Sequence, residues 1–557
     1  VQFLSHGPGD PSTPGTPSLP DAPRLPWDQL NGFPLDATRL TGEDGQPMTW
    51  FQDGAVAGWE KQTGRKRVDE LAAIPSLPVS YDSARPILEG LGGANVPAGW
   101  QGGLPFAYHV GPGPVEVRLR VRNEYAIRPI WNVIARIDGT TEPDRWVLVG
   151  NHRDAWTYGA VDPGSGTAAT LEMARAIGEA VKSGWKPNRS LVYASWDGEE
   201  YGLLGSTEWA EHHADELSAK AVLMLNVDAA VSGADLDLDG IASLRDLVLD
   251  AASDVNDTRT GKPLAEAWRA KKRSARASGA VDLDPGVWTR PRDEAAAAVA
   301  AAPAPAPLPF EPQMGWLGSG SDYTAYVDHL GIPAADVSFS GRYGVYHSVY
   351  DDFYWMDHFG DPGFYTHATA ARLYTLIAMR AAGADVVPIT LRPYAAALRE
   401  HVDDLRRTAV RLSRAEPPKK LRAAGERLPT LVESVRAIEA AAAKVDARAA
   451  ELAGRDDAPA PEVAGLNALL SRFERLWLLP EGLPGRPWFR HAIYAPGLTT
   501  GYAAWPMPGV RQALNDDDPA LFDAQVEALG SRIRAATTAL EAYLAGPGAE
   551  PAGGASR

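Results

Sequence analysis

Apolar residues fall in short unbroken runs through the middle of the chain and in long stripes of helical period toward its end. The runs at 132–138 (NVIARID), 145–149 (RWVLV), 190–196 (SLVYASW) and 221–228 (AVLMLNVD) are too short for helices and too continuous for half-exposed strands, so they predict buried strands. Between them, 165–183 sets Leu171, Ala174, Ile177 and Val181 on one helical face, and 203–217 (LLGSTEWAEHHADEL) reads as the next helix. A strand at 335–339 and an apolar helix near 364–382 continue the series. Such alternation predicts an α/β fold: a mostly parallel sheet core with flanking helices. After Pro388 the stretches 392–413, 428–453, 462–478 and 519–545 have helical periodicity and almost no strand signal, which predicts a helical bundle. The first hundred residues, rich in Gly, Pro and Trp, together with strand-like pieces such as 116–122 (EVRLRVR), predict an irregular β-containing segment. The Ala-Pro repeats of 293–312 are expected to form an exposed loop, and the tail from Ala545 to be disordered. The expected divisions are 1–126, 127–384 and 385–557.

Composition narrows the chemistry. The 557 residues carry 54 Lys and Arg against 71 Asp and Glu, a net charge of −17, which argues against a nucleic-acid partner. There is no cysteine, so no disulfide framework and no thiolate metal site; a metal would be held by His, Asp and Glu. No apolar run is long enough to span a membrane, and the first residues lack the layout of a signal peptide. The chain does not begin with Met and is expected to be part of a longer one.

In parallel sheets, active sites gather at the carboxyl ends of strands. The run 145–149 leads into His152 and Asp154, with Asp162 in the next loop; 190–196 leads into Asp197, Glu199 and Glu200; 221–228 ends on Asp228. So many carboxylates at one edge need cations, and two divalent metals with nitrogen and oxygen ligands would answer that, zinc being the best match. A two-metal site also needs a carboxylate that takes a proton from water, and adjacent Glu199 and Glu200 can divide the roles of ligand and base. Of the eleven histidines, His347 in VYHSVYDD is the candidate second nitrogen ligand, with the others as rivals; His212 and His213, late on a predicted helix, read as surface residues. Alone, SWDGEEYG is equally a solvated turn entering a helix, and GSGSD at 318–322 a flexible turn. No His-Glu-x-x-His helix and no convincing Gly-x-Ser-x-Gly elbow is present.

Taken in order, NHRDAWTYGAVDPGSG, ASWDGEEYGLLGSTEWAE, LNVDAA, GSGSD, VYHSVYDDF and GLPGRPWFRHAIYAP resemble the glutamate carboxypeptidase II and transferrin receptor family of dizinc peptidases and their inactive relatives. The resemblance implies that His152 and Asp228 hold one zinc, that Glu200 and His347 hold the other, and that Asp162 bridges them. It implies Glu199 as general base, Asp154 as the partner orienting His152, and Tyr346 as donor to the developing oxyanion. It further implies a calcium bound by Glu208, Glu211, Thr13 and Thr16, and substrate contacts from Gly320, Ser321 and Tyr502. The family's Lys-Tyr pair is here Gly501-Tyr502, its arginine patch is reduced to Arg342, and Ser321 replaces an Asn, so glutamate preference is not implied. Residues 1–126 would be an incomplete apical, protease-associated remnant and 385–557 a helical domain for homodimerisation, in an extracytoplasmic protein. The expected activity is that of a metalloexopeptidase on small peptides. An aminopeptidase of the same metal chemistry and a non-catalytic receptor-like binder are the alternatives; retention of all five ligands and Glu199 favours an enzyme.

Overall fold

A computed structural model describes residues 77, 79–97, 100–122, 129–277, 312–414, 419–455, 457–498 and 503–546. Its centre is a six-stranded sheet of β1 (Val133–Ile137), β2 (Glu142–His152), β3 (Arg189–Trp196), β4 (Ala221–Asn226), β5 (Asp235–Gly240) and β6 (Ala334–Ser340), in the order β1-β3-β2-β4-β6-β5. Strands β3, β2, β4 and β6 are mutually parallel, and the edges β1 and β5 are antiparallel to their neighbours. The middle strands are continuous apolar runs because helices cover both of their faces; β4 is buried at every position. Helices α1 (Gly164–Lys182), α2 (Leu204–His212), α3 (Ala214–Lys220), α4 (Arg245–Asp254), α5 (Leu264–Ala277) and α6 (Tyr365–Gly383) flank the sheet. Of these, α1 and α6 pack on each other and against β2, and α3 packs against β2 and β4.

Where the pattern misled, the packing explains it. Strand β1 forms, but as an uncovered edge: Val133 is 58% and Ile134 40% exposed. On α1 the buried residues are Ser165, Gly166, Ala169, Met173 and Ile177, whereas Leu171 and Val181 face outward. Small residues occupy the inner face because the helix lies close against the sheet's loops. The helix expected over 203–217 is two helices, broken at His213. Strand β5 was not anticipated: in DLDLDG, Leu236 and Leu238 point inward while the aspartates alternate outward. Residues 116–122 form no strand, and Val117 and Leu119 are exposed. Most of the apical segment, the Ala-Pro stretch and the tail lie outside the described residues.

Beyond the sheet, α7 (Leu391–Ser413), α8 (Pro429–Ala453), α9 (Ala460–Leu470), α10 (Pro508–Asp516) and α11 (Pro519–Ala545) form a bundle in which α8 packs against both α7 and α11. The stretch expected as one helix over 462–478 is α9 followed by a short 3-10 turn, Phe473–Trp477. That turn fastens the bundle to the sheet: Arg475 donates to the carbonyls of Leu217 and Ala221, where β4 begins. Inside, one carboxylate oxygen of the buried Glu474 accepts from both Tyr394 and His491, each at 2.9 Å.

Candidate active site

The carboxyl ends of β2, β3 and β4 lie side by side, and the loop after β6 folds over them. His152 is the last residue of β2 rather than one beyond it, and it is almost fully buried. Its Nδ1 lies 3.0 Å from the Asp154 carbonyl oxygen, which must accept a hydrogen, so in the neutral ring Nε2 carries the lone pair. That lone pair faces Asp228 Oδ1 at 2.7 Å, Asp162 Oδ1 at 3.2 Å and Glu199 Oε2 at 3.9 Å. A lone pair aimed at three carboxylates is untenable unless a cation, a proton or a metal ion, lies between them. On the other side of Asp162, its Oδ2 is 3.1 Å from His347 Nε2, which lies 3.3 Å from Glu200 Oε2. Two groups able to hold a metal result, His152–Glu199–Asp228 and Asp162–Glu200–His347, with Asp162 reaching toward both.

The electrostatics point the same way. Burial drives the Glu199 carboxyl well above its ordinary range, and the charges of Asp228, Asp322 and Asp162 add to it. Glu200 is pushed up to about 9 by burial and by Asp162. Burial pulls His152 down, but the Asp228 charge and the contacts with Asp154 and Asp162 outweigh it and leave its pKa well above the usual value. Asp162 is held well below the carboxylate range by the two histidines despite its burial. Without a metal the cluster keeps its carboxylates tolerable only by retaining protons. The residues fit divalent ions on a further count: the buried Asp162 Oδ1 has no hydrogen-bond donor, and the donor set is wholly nitrogen and oxygen.

The adjacent glutamates are directed by their backbone. Strand β3 stops at Trp196, Gly198 turns the chain at φ +71°, and the N–H groups of Glu199 and Glu200 donate to the two oxygens of Asp154 at 3.0 and 3.1 Å. Asp154 thus orients His152 through its carbonyl and the glutamate pair through its carboxylate. Asp197 does not join the cluster; it pairs with Arg153 at 3.0 Å and accepts from Trp131 N–H. Tyr346 lies flat on the His347 ring, with centroids 3.6 Å apart. Ser321 is buried, its hydroxyl donating to Asp228 Oδ2 and accepting from Asn226, so it holds a candidate ligand, while neighbouring Gly320 is exposed. Glu208 and Glu211 share a face of α2, and Glu211 accepts from Trp488 at 2.6 Å and is pushed up to about 7 by burial. Thr13, Thr16 and Tyr502 lie outside the described residues. Sequence reasoning missed Asp351, whose buried carboxylate receives the N–H of Asp162, and Tyr343, which donates to Asp351 at 2.9 Å. In YDDF nothing separates Asp351 from Asp352, which only caps the next turn by accepting from Trp355 N–H.

Peptidase family M28 matches residues 132–267, and the transferrin receptor-like dimerisation domain matches 426–541. Over 475 residues the chain is 36% identical to a probable glutamate carboxypeptidase of Arabidopsis thaliana, covering 83% of this chain and 61% of that protein. The chain thus joins a segment matching peptidase family M28 to one matching the transferrin receptor-like dimerisation domain. It is also 33% identical over 489 residues to a probable glutamate carboxypeptidase of Zea mays, with 86% of this chain and 61% of that protein covered. An aminopeptidase of Rattus norvegicus is 32% identical over 455 residues, with 78% and 56% covered. The chain therefore spans about three fifths of the length of the two probable glutamate carboxypeptidases. His152, Asp162, Glu199, Glu200 and Asp228 fall within the M28 match, and His347 lies beyond it.

Proposed function

We propose that the chain is a two-zinc exopeptidase acting on small peptides. The observation that carries this reading is the sharing of Asp162 between two groups of nitrogen and oxygen donors, with Glu199 and Glu200 turned to different groups. His152 and Asp228 would hold one ion and Glu200 and His347 the other, with Asp162 common to both. A pair of divalent ions supplies an acidified water and polarises the peptide carbonyl. Glu199, desolvated by its burial, accepts the proton of the attacking water on a carboxylate oxygen and delivers it to the leaving amine. The Tyr346 hydroxyl donates to the carbonyl oxygen as negative charge develops there. His152 is kept in its Nδ1–H tautomer by the Asp154 carbonyl, and Ser321 fixes Asp228.

For substrate, we propose a carboxypeptidase-like action with contacts from Gly320 and Tyr502; with Gly501 beside Tyr502 there is no lysine to select a terminal glutamate. Aminopeptidase action is the second reading, favoured by the likeness to the Rattus norvegicus aminopeptidase. A calcium held by Glu208, Glu211, Thr13 and Thr16 and an extracytoplasmic location complete the proposal, with homodimerisation through the region matched at 426–541. Metal analysis of the purified protein should return about two zinc ions per chain, and one or none would overturn the two-metal reading. Peptides blocked at the amino or the carboxyl end then separate the two modes: loss of cleavage only on carboxyl blocking supports a carboxypeptidase, only on amino blocking an aminopeptidase.

A further inference from the structure

Two of the three residues of the second metal group come from facing loops, 157–162, which brings the shared Asp162, and 343–351, which brings His347. The loops are stitched together along their length. Thr157 Oγ1 donates to the Ser348 carbonyl at 2.7 Å, and the Ala160 N–H donates to the Asp351 carbonyl at 3.2 Å. The centre of the seam is the Asp351 side chain, which is 2% exposed. Its Oδ1 accepts from Val161 N–H at 2.8 Å, and its Oδ2 accepts from Asp162 N–H at 3.2 Å and from the Tyr343 hydroxyl at 2.9 Å. Tyr343 in turn meets the Tyr346 ring edge-on at 5.9 Å, and Tyr346 covers His347. His347 itself sits at φ +54°, a backbone conformation that a residue with a side chain keeps only where its surroundings impose it.

We infer that Asp351 is a positioning residue for the second metal group, setting the separation of Asp162 and His347 by holding the backbone of one loop against the other. It touches no reacting atom, and it reaches the first group only through the shared Asp162, since His152, Glu199 and Asp228 come from the sheet's own strand ends. Asp154 serves the glutamate pair in the same way, a carboxylate accepting from two successive backbone N–H groups. A purely structural role would make Asp351 a loop fastener whose loss lowers stability and both metal affinities alike. A positioning role predicts a split between the two.

The inference rests on the two-metal reading, and one titration separates their failures. Metal-free wild-type protein and Asp351→Asn are titrated with cobalt(II), followed by visible absorption and calorimetry, with thermal melts alongside. The asparagine keeps one acceptor oxygen but sets an amide donor against a backbone donor. The second cobalt should bind the variant about 10–100-fold more weakly, the usual effect of losing such a partner, and the first should lose less, since only the shared Asp162 links it to Asp351. Two unchanged steps, or two steps weakened equally, would overturn the assignment. Fewer than two cobalt ions on the wild type would overturn both this inference and the two-metal reading. If Asp351→Asn does not fold, Tyr343→Phe tests the same carboxylate by removing one donor: the second step should weaken by about threefold or more and the first by less, and no difference between the steps would overturn the assignment.

Discussion

Gly166→Ala tests how closely the cluster depends on one backbone contact. Gly166 is the third residue of α1, and a methyl group built on it would lie 1.9 Å from the Asp228 carbonyl oxygen and 2.7 Å from that of Val227. Both obstacles are backbone, so no side chain can swing aside. Restoring an ordinary contact means moving from 1.9 Å to at least 3.4 Å, an opening of about 1.5 Å between α1 and the chain that carries Asp228. Asp162 stands two positions before the start of α1, so the opening draws Asp162 and Asp228 apart at the place where both face His152. Helix propensity works in the opposite direction, since Gly→Ala inside a helix gains up to about 1 kcal/mol. Overpacking against a rigid neighbour costs about 1–3 kcal/mol or more, so the expected net loss is about 1–2 kcal/mol. On a domain of this size that lowers the melting temperature by about 2–8 °C. Metal affinity should fall with it, and turnover should drop about 100-fold, because an ångström of misplacement is enough for that. Differential scanning calorimetry, metal titration and a peptide-cleavage assay read the three quantities. A variant as stable as the wild type or more so, with unchanged metal uptake, would show that propensity wins and that the close approach is not there.

Glu199→Gln should retain both metal ions and lose at least about 100-fold in turnover, as expected for a general base; substantial residual activity would reassign the base. Asp154→Ala should weaken metal binding by about 10–100-fold, since it strands two N–H groups beneath the glutamate pair, and unchanged zinc content under chelator competition would refute that. The metal-free protein should lose stability as pH rises: Glu200 has a folded pKa near 9 against an ordinary 4.5, and His152 is raised as well, so both favour the folded state in protonated form and surrender that contribution as they deprotonate. Thermal melts between about pH 5 and pH 9 should fall and recover on adding zinc, and a flat or rising trend would contradict the burial of these groups. Light scattering on the full chain should report twice the chain mass if the region at 426–541 dimerises; a monomer at micromolar concentration would exclude it.

The middle strands were legible because β3, β2 and β4 are buried on both sides and so read as unbroken apolar runs whose polar ends declare the site. Its place after a predicted strand made His347 a candidate among eleven histidines, and the resemblance gave it the role of ligand. Strand β5 escaped notice because half of it is aspartate, and only its outer edge position makes that affordable. On α1 the search for large apolar residues chose Leu171 and Val181, while the helix turns Ser165, Gly166 and Ala169 to the sheet because close approach needs small ones. Asp351, and the bond from Ser321 to Asp228, stayed hidden for a related reason: what matters in each is the partner of its oxygen atoms, fixed by tertiary contacts that residue type does not encode.

The strand order also sets a sequence of events in time. Five of the six side chains of the cluster are already present once the chain has reached Asp228, but His347 follows about 120 residues later. Strand β5 is made in the interval, and its partner strand in the sheet is β6, which must be inserted between β4 and β5. A growing chain can therefore present the His152–Glu199–Asp228 group before its sheet is closed, whereas the Asp162–Glu200–His347 group exists only after β6 is in place. Uptake of the second ion would then mark completion of the sheet. Until that moment Asp235, Asp237 and Asp239 give the waiting strand a charged edge that resists pairing with another chain.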